Sequence, residues 1–179
     1  GAATARALAA QGHRVLFTCR EAEDGAQLCN DITTAFPRAT VKNYSLDLAS
    51  FSSIRLLADK LQREYNQIDV LINNASLAPL TKQKTRDGFE LQFGANYLGH
   101  FLFTQLLLDV LNEAGRARIV HTSSMMHWLG GIDFGSFHGG KFYDPIRAYA
   151  QSKLAILLFS NELSRRLKKT KITSNTFHP

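Results

Sequence analysis

Residues 69–75 read Asp69-Val70-Leu71-Ile72-Asn73-Asn74-Ala75. A short apolar run, Asp69 to Asn73, is a strand candidate. The asparagines that follow place polar groups at its carboxyl end. Four other short apolar segments are strand candidates: Arg14 to Cys19, Thr40 to Tyr44, Arg118 to Thr122, and Thr173 to Phe177. Helical stretches separate them. Ser50 is a plausible N-cap for a helix whose apolar positions Ile54, Leu57, Ala58, Leu61 and Tyr65 keep helical spacing. Asp87-Gly88-Phe89-Glu90 resembles a capping box opening a long helix to about Asn112, with Gly115 as its stop. Pro145 suits the start of another, running to about Leu167. Strands alternating with helices of this length imply a doubly wound parallel α/β sheet, joined by crossovers.

The 179 residues hold 21 Lys+Arg, 15 Asp+Glu, 2 Cys and 45% hydrophobic residues. That length fits one domain spanning residues 1–179, and the apolar fraction excludes a disordered chain. Cys19 and Cys29 are too few for a disulfide framework. No metal is expected, because His100, His121, His127 and His138 show no ligand spacing. No apolar run reaches the length of a membrane span. Of the net charge of +6, most arises in the last third, from Arg165, Arg166, Lys168, Lys169 and Lys171 at the end of a helix. Cations there complement the helix dipole, so no nucleic acid is expected as partner.

Ligands of such sheets bind outside the carboxyl ends of the strands. Polar residues gather there: Asp47, Asn73-Asn74-Ala75, Ser123-Ser124 and His178-Pro179. Tyr149 and Lys153 form Tyr-x-x-x-Lys and share one face of a helix. An ammonium beside a phenol favours the phenolate, making the tyrosine a usable acid or base near neutral pH. A serine hydroxyl nearby can hydrogen-bond a substrate oxygen while the tyrosine passes it a proton. The pair alone is a weak signal, and a structural Tyr beside a solvated Lys is the competing account.

Taken in order, several stretches resemble the short-chain dehydrogenase/reductase family, and within it the retinol dehydrogenase-like branch. They are Leu46-Asp47-Leu48, Leu71-Ile72-Asn73-Asn74-Ala75, Asn96-Tyr97-Leu98-Gly99-His100-Phe101, Arg118-Ile119-Val120 with Ser123-Ser124, Tyr149-Ala150-Gln151-Ser152-Lys153, and His178-Pro179. The 25-residue step from Ser124 to Tyr149, with Lys141-Phe142-Tyr143 inside it, resembles that branch rather than the shorter-spaced bacterial reductases. The resemblance implies a Rossmann-like fold and an NAD(P)-dependent enzyme acting on CH–OH groups. It casts Tyr149 as general acid/base and Lys153 as its partner and holder of the nicotinamide ribose. Ser124 would position the substrate oxygen, and Asn96 would hold a water linking Lys153 to solvent. Asp47 and Leu48 would contact adenine, Asn74 and Ala75 its ribose, and Thr122 and Pro179 the nicotinamide side. Gly1 aligns with the last glycine of the family's phosphate-binding turn.

Cofactor choice is argued at the end of the Arg14 to Cys19 strand. Members preferring NAD carry an acid there, whereas here Cys19 is followed by Arg20, whose guanidinium can bind a 2′-phosphate. The expected cofactor is therefore NADP(H) rather than NAD; the alternative for Arg20 is a solvated arginine beside Glu21. Departures from the family pattern are Ser76 in place of glycine and Tyr97 in place of histidine. The first strand and most of the Gly-rich turn are also missing.

The substrate expected from the resemblance is a small apolar alcohol or carbonyl, such as a retinoid, steroid or lipid aldehyde. Trp128 and Phe134 could face it or pack on the sheet. A homodimer through the helices carrying Asn96 and Tyr149 is implied. So is a soluble, cytoplasmic-facing domain, with membrane contact only through a segment outside this sequence. Rival readings are a non-catalytic nucleotide-binding scaffold or sensor and a light-dependent pigment reductase. With both ends read as truncated, the segment alone is expected not to fold cooperatively.

Overall fold

Residues 1–140 and 142–179 are described by a computed structural model, so Lys141 of the stretch above lies outside the described residues. The chain forms two compact units, 1–47 and 48–179.

In the first unit the Ala-rich helix α1 (Ala2–Ala10) leads to β1 (Val15–Cys19), α2 (Ala22–Ala35) and β2 (Val41–Ser45). Gly12, at φ 83°, makes the left-handed turn between α1 and β1. Glu23 and Asp24 in the first turn of α2 complement its dipole. β1 and β2 pair in parallel, from Val15 opposite Val41 to Cys19 opposite Ser45. Ala5, Ala9, Val15 and Ile32 form the core, with Leu8, Phe17, Leu28 and Val41 packed on it.

The second unit holds α3 (Phe51–Glu64), β3 (Val70–Asn73), a π-helical segment (Phe93–Gly99), α4 (His100–Leu106), α5 (Leu108–Glu113), β4 (Arg118–Thr122), α6 (Pro145–Arg166) and β5 (Thr173–Phe177). Its three strands run parallel in the order β3-β4-β5. Ser50 caps α3, its hydroxyl accepting from the Ser53 N–H, and Ile54, Leu57, Ala58 and Leu61 are buried. α6 starts at Pro145 with Asp144 as cap, its carboxylate accepting from the N–H groups of Ile146 and Arg147. At the far end, Glu162 binds Arg165 and Arg166, which hold its carboxyl down to about 2. Among the described residues no helix is long and apolar enough to cross a membrane.

The expected long helix from Asp87 to Asn112 differs in three ways. Its N-terminal groups are capped by Glu90, whose carboxylate accepts from the N–H groups of Gln92 and Phe93. Asp87 instead accepts from the N–H of Phe51, at the start of α3. The helix then widens to π-helical geometry over Phe93–Gly99 and breaks at Leu107, whose ψ of 1° departs from the helical value. Gly99 explains part of this course: a side chain there would meet the Leu48 carbonyl oxygen at 2.6 Å, so only glycine lets the two backbones approach.

Candidate active site

Lys153 is the most unusual side chain of the second unit, an amine only 1% exposed. Its Nζ donates to the carbonyl of Thr122, the last residue of β4, at 3.1 Å. The same Nζ lies 5.3 Å from the ring centroid of Tyr149, one helical turn earlier on α6. Desolvation lowers the lysine to about 8. Its charged form is therefore retained at neutral pH with two N–H donors beyond the one given to Thr122. Ser123 fixes the backbone beneath it, donating from Oγ to the Lys153 carbonyl at 2.9 Å.

Ser124 follows β4 and caps the 3₁₀ turn Met125–Leu129, accepting from the Met126 N–H at 3.3 Å. This turn packs on α6. Gly130 ends it so close to α6 that a Cβ would sit 2.6 Å from the Ala150 carbonyl oxygen. Gln151 ties down the following loop, accepting from the Asp133 N–H and donating to Ser136 Oγ. Trp128 is exposed, as is Phe134, which contacts Phe137, so neither packs on the sheet.

Asn96 is 1% exposed within the π-helical segment. Its amide clasps the chain beyond β3, accepting from the Leu77 N–H and donating to the Leu77 carbonyl, both at 2.9 Å. Nδ2 also donates to Ser152 Oγ at 3.3 Å, which links it to α6. Asn74 Oδ1 accepts from the Thr122 hydroxyl at 3.5 Å, while Ala75 and Ser76 are exposed. Leu48 is held against Gly99, and Pro179 is exposed beyond β5. Tyr149, Lys153, Thr122, Asn74 and Asn96 thus belong to one set of elements in the second unit. Gly1, Arg20 and Asp47 belong to the first. There Arg20 is exposed at the end of β1 and its guanidinium meets Glu21 at 3.0 Å, an exposed pair that water screens.

The second unit also contains a buried polar network. Asn73 Nδ2 donates to Thr104 Oγ1 at 2.8 Å and to His121 Nδ1 at 3.2 Å. His100 Nδ1 contacts the Asn96 carbonyl at 2.8 Å. Burial holds both histidines down to about 4; the Lys153 charge adds to the effect on His100, and His100 to that on His121. Both rings are therefore neutral at physiological pH. Nothing in their sequence spacing signals this, because the network joins a strand, a helix and a strand end far apart in the chain.

A parallel α/β fold with polar groups gathered at its strand ends, and a Tyr–Lys pair on the following helix, defines a class of nucleotide-dependent oxidoreductases. A family model described as short chain dehydrogenase matches residues 1–179, and the chain belongs to that family. Human retinol dehydrogenase 11 is 44% identical over 179 residues, covering all of this chain and 56% of that protein. Mouse retinol dehydrogenase 13 is 44% identical over 180 residues, with 54% of its length covered. The chain thus spans little more than half the length of these curated relatives. Among solved structures, an uncharacterized protein from Mycobacterium paratuberculosis has a TM-score of 0.89 at 40% identity, with 100% of this chain and 63% of that one covered. A short chain dehydrogenase from Burkholderia cenocepacia in complex with NADP has a TM-score of 0.77 at 27% identity, covering 100% and 68%.

Proposed function

We propose that the protein is an NADP(H)-dependent oxidoreductase acting on an apolar alcohol or carbonyl, with Tyr149 as the general acid/base. The observation that carries this reading is the buried Lys153, held by Thr122 at 3.1 Å and 5.3 Å from the Tyr149 ring. A solvated lysine would not be placed there at the cost of desolvation. The nicotinamide, when bound, gives or takes the hydride. Lys153 offers its two remaining donors to ribose hydroxyls and its charge to the phenolic oxygen of Tyr149. Tyr149 gives a proton to the carbonyl oxygen in reduction and takes it back in oxidation. Ser124 orients that oxygen, and Asn96 joins α6 to the segment beyond β3. Thr122, Asn74, Ala75, Leu48 and Pro179 are assigned to the cofactor in the second unit.

In the first unit, Gly1, Asp47 and Arg20 are assigned to the cofactor, Arg20 to the 2′-phosphate. The NADP complex of the Burkholderia relative supports this choice. The exposed Met125, Trp128 and Leu129 beside α6, and the names of the retinol dehydrogenase relatives, support a retinoid, steroid or lipid aldehyde as substrate. The test is NADPH consumption by the full-length protein across a panel of aldehydes. Tyr149→Phe should lower kcat by about 10²–10⁴-fold; turnover as fast as wild type would overturn the mechanism. Nucleotide binding without turnover would favour a scaffold, for which Ser76 in the family's glycine position speaks.

A homodimer through the helices carrying Asn96 (the π-helical segment that continues into α4) and Tyr149 (α6) belongs to the same reading. A cavity of about 630 Å³ on this side is lined by apolar residues that include Phe93, Phe101, Leu102, Leu158 and Phe159, and Tyr149 is not among its lining residues. Analytical ultracentrifugation should find a dimer that Leu158→Glu dissociates; a monomeric wild type would remove the dimer from the reading.

A further inference from the structure

We propose that Gln92 is a positioning residue that locks the helix bearing Tyr149 to the helix bearing Asn96, an inference that rests on the catalytic reading above. Gln92 is completely buried and immediately precedes the π-helical segment. Its Nε2 donates to Tyr143 Oη at 2.9 Å and to the carbonyl of Pro145 at 3.0 Å, with the Pro79 carbonyl farther off at 3.4 Å. Pro145 is the first residue of α6. In α-helical register, its carbonyl is the acceptor for the N–H of Tyr149. The glutamine therefore holds the oxygen to which the backbone of the tyrosine is itself tied.

The clamp is closed on its other side. Tyr143 Oη donates to Glu90 Oε1 at 3.3 Å, and the Glu90 carboxylate accepts from the N–H of Gln92 at 2.9 Å and of Phe93 at 2.7 Å. A second tie lies four residues beyond Gln92 on one side and seven beyond Pro145 on the other. Asn96 Nδ2 donates to Ser152 Oγ, and Ser152 Oγ donates to the Tyr149 carbonyl at 2.7 Å. Tyr149 is thus held at both its backbone N–H, through Pro145, and its carbonyl, through Ser152.

One feature separates a positioning role from simple packing. Among the described residues, Gln92 Oε1 is buried without a hydrogen-bond partner. Such an oxygen costs stability, and an apolar side chain of the same shape would avoid that cost. The donors on Nε2 are what an apolar replacement cannot supply.

The experiment uses the full-length protein with Gln92→Met and, as a milder second variant, Tyr143→Phe. Gln92→Met removes both the unpartnered oxygen and the Nε2 donors, two opposed effects on stability, and should leave NADPH affinity unchanged. Its kcat should fall on the order of tenfold, as a slight misplacement of a reacting group requires. Amide hydrogen exchange around Tyr149 should speed up. A kcat and an exchange rate both within about twofold of wild type would overturn the proposal. If neither wild type nor variant turns over any aldehyde while exchange still quickens, the clamp stands and the catalytic reading falls. If Gln92→Met fails to fold, Tyr143→Phe, which removes one oxygen, decides by the same two measurements.

Discussion

The two units stabilise themselves by different means. In residues 1–47 the fully buried side chains are aliphatic apart from Tyr44, and Oδ1 of the half-buried Asn43 is the one buried side-chain polar atom among the described residues there without a hydrogen-bond partner. In residues 48–179 the interior holds Asn73, Glu90, Gln92, Asn96, His100, Thr104, His121, Ser152 and Lys153. Buried polar groups cost free energy unless each finds a partner, and most of these do, across elements distant in sequence. An apolar core needs only the right volume, while a polar interior must satisfy directions as well. The first unit is therefore held mainly by filling volume, and the second must in addition satisfy the directions of its buried polar groups.

The sharpest way to break this contrast is to open a hole in the apolar unit. Ile32 has no exposed surface and sits in the Ala5, Ala9 and Val15 cluster. Ile32→Ala should cost the full-length protein about 2–5 kcal/mol in urea unfolding, from lost burial plus the cavity left behind. The activity of each molecule that remains folded should be unchanged. A loss below about 1 kcal/mol, at the level of an exposed site, would show that the cluster is not a working core.

The same contrast explains what could be read from the sequence. The strands follow from apolar periodicity, and β4 and β5 match their expected ends at Arg118, Thr122, Thr173 and Phe177, whereas α2 has too weak an apolar pattern to be read in advance. Pro145 and Ser50 mark helix starts because caps are local chemistry. The chain from Asp87 to Asn112 is less legible, since its course depends on Glu90 turning back on its own backbone and on Gly99 meeting Leu48. Tyr149 and Lys153 announce themselves by spacing, but the burial of Lys153 and its bond to Thr122 do not. Gln92 gives no sequence signal, because the atoms it joins lie 13, 51 and 53 residues away.

Acid should weaken the polar unit first, by a smaller amount than the cavity in the apolar one. His100 and His121 are held at about 4 in the folded chain, against an ordinary 6.5. Between those values the unfolded chain binds more protons than the folded one, so stability falls as pH drops from 6.5 toward 4. For a single histidine shifted this far, the loss on going from pH 7 to pH 5 is roughly 2 kcal/mol. Charging the second ring beside the first, with the Lys153 ammonium near His100, is harder still, so the two do not contribute independently. His121→Asn removes one of the titrations and keeps an oxygen to accept from Asn73. Urea unfolding of the full-length protein at pH 7, 6 and 5 should then show a shallower pH dependence than wild type. An unchanged slope would mean that His121 is free to take up a proton in the folded state, and that the polar interior is wetter than its burial implies.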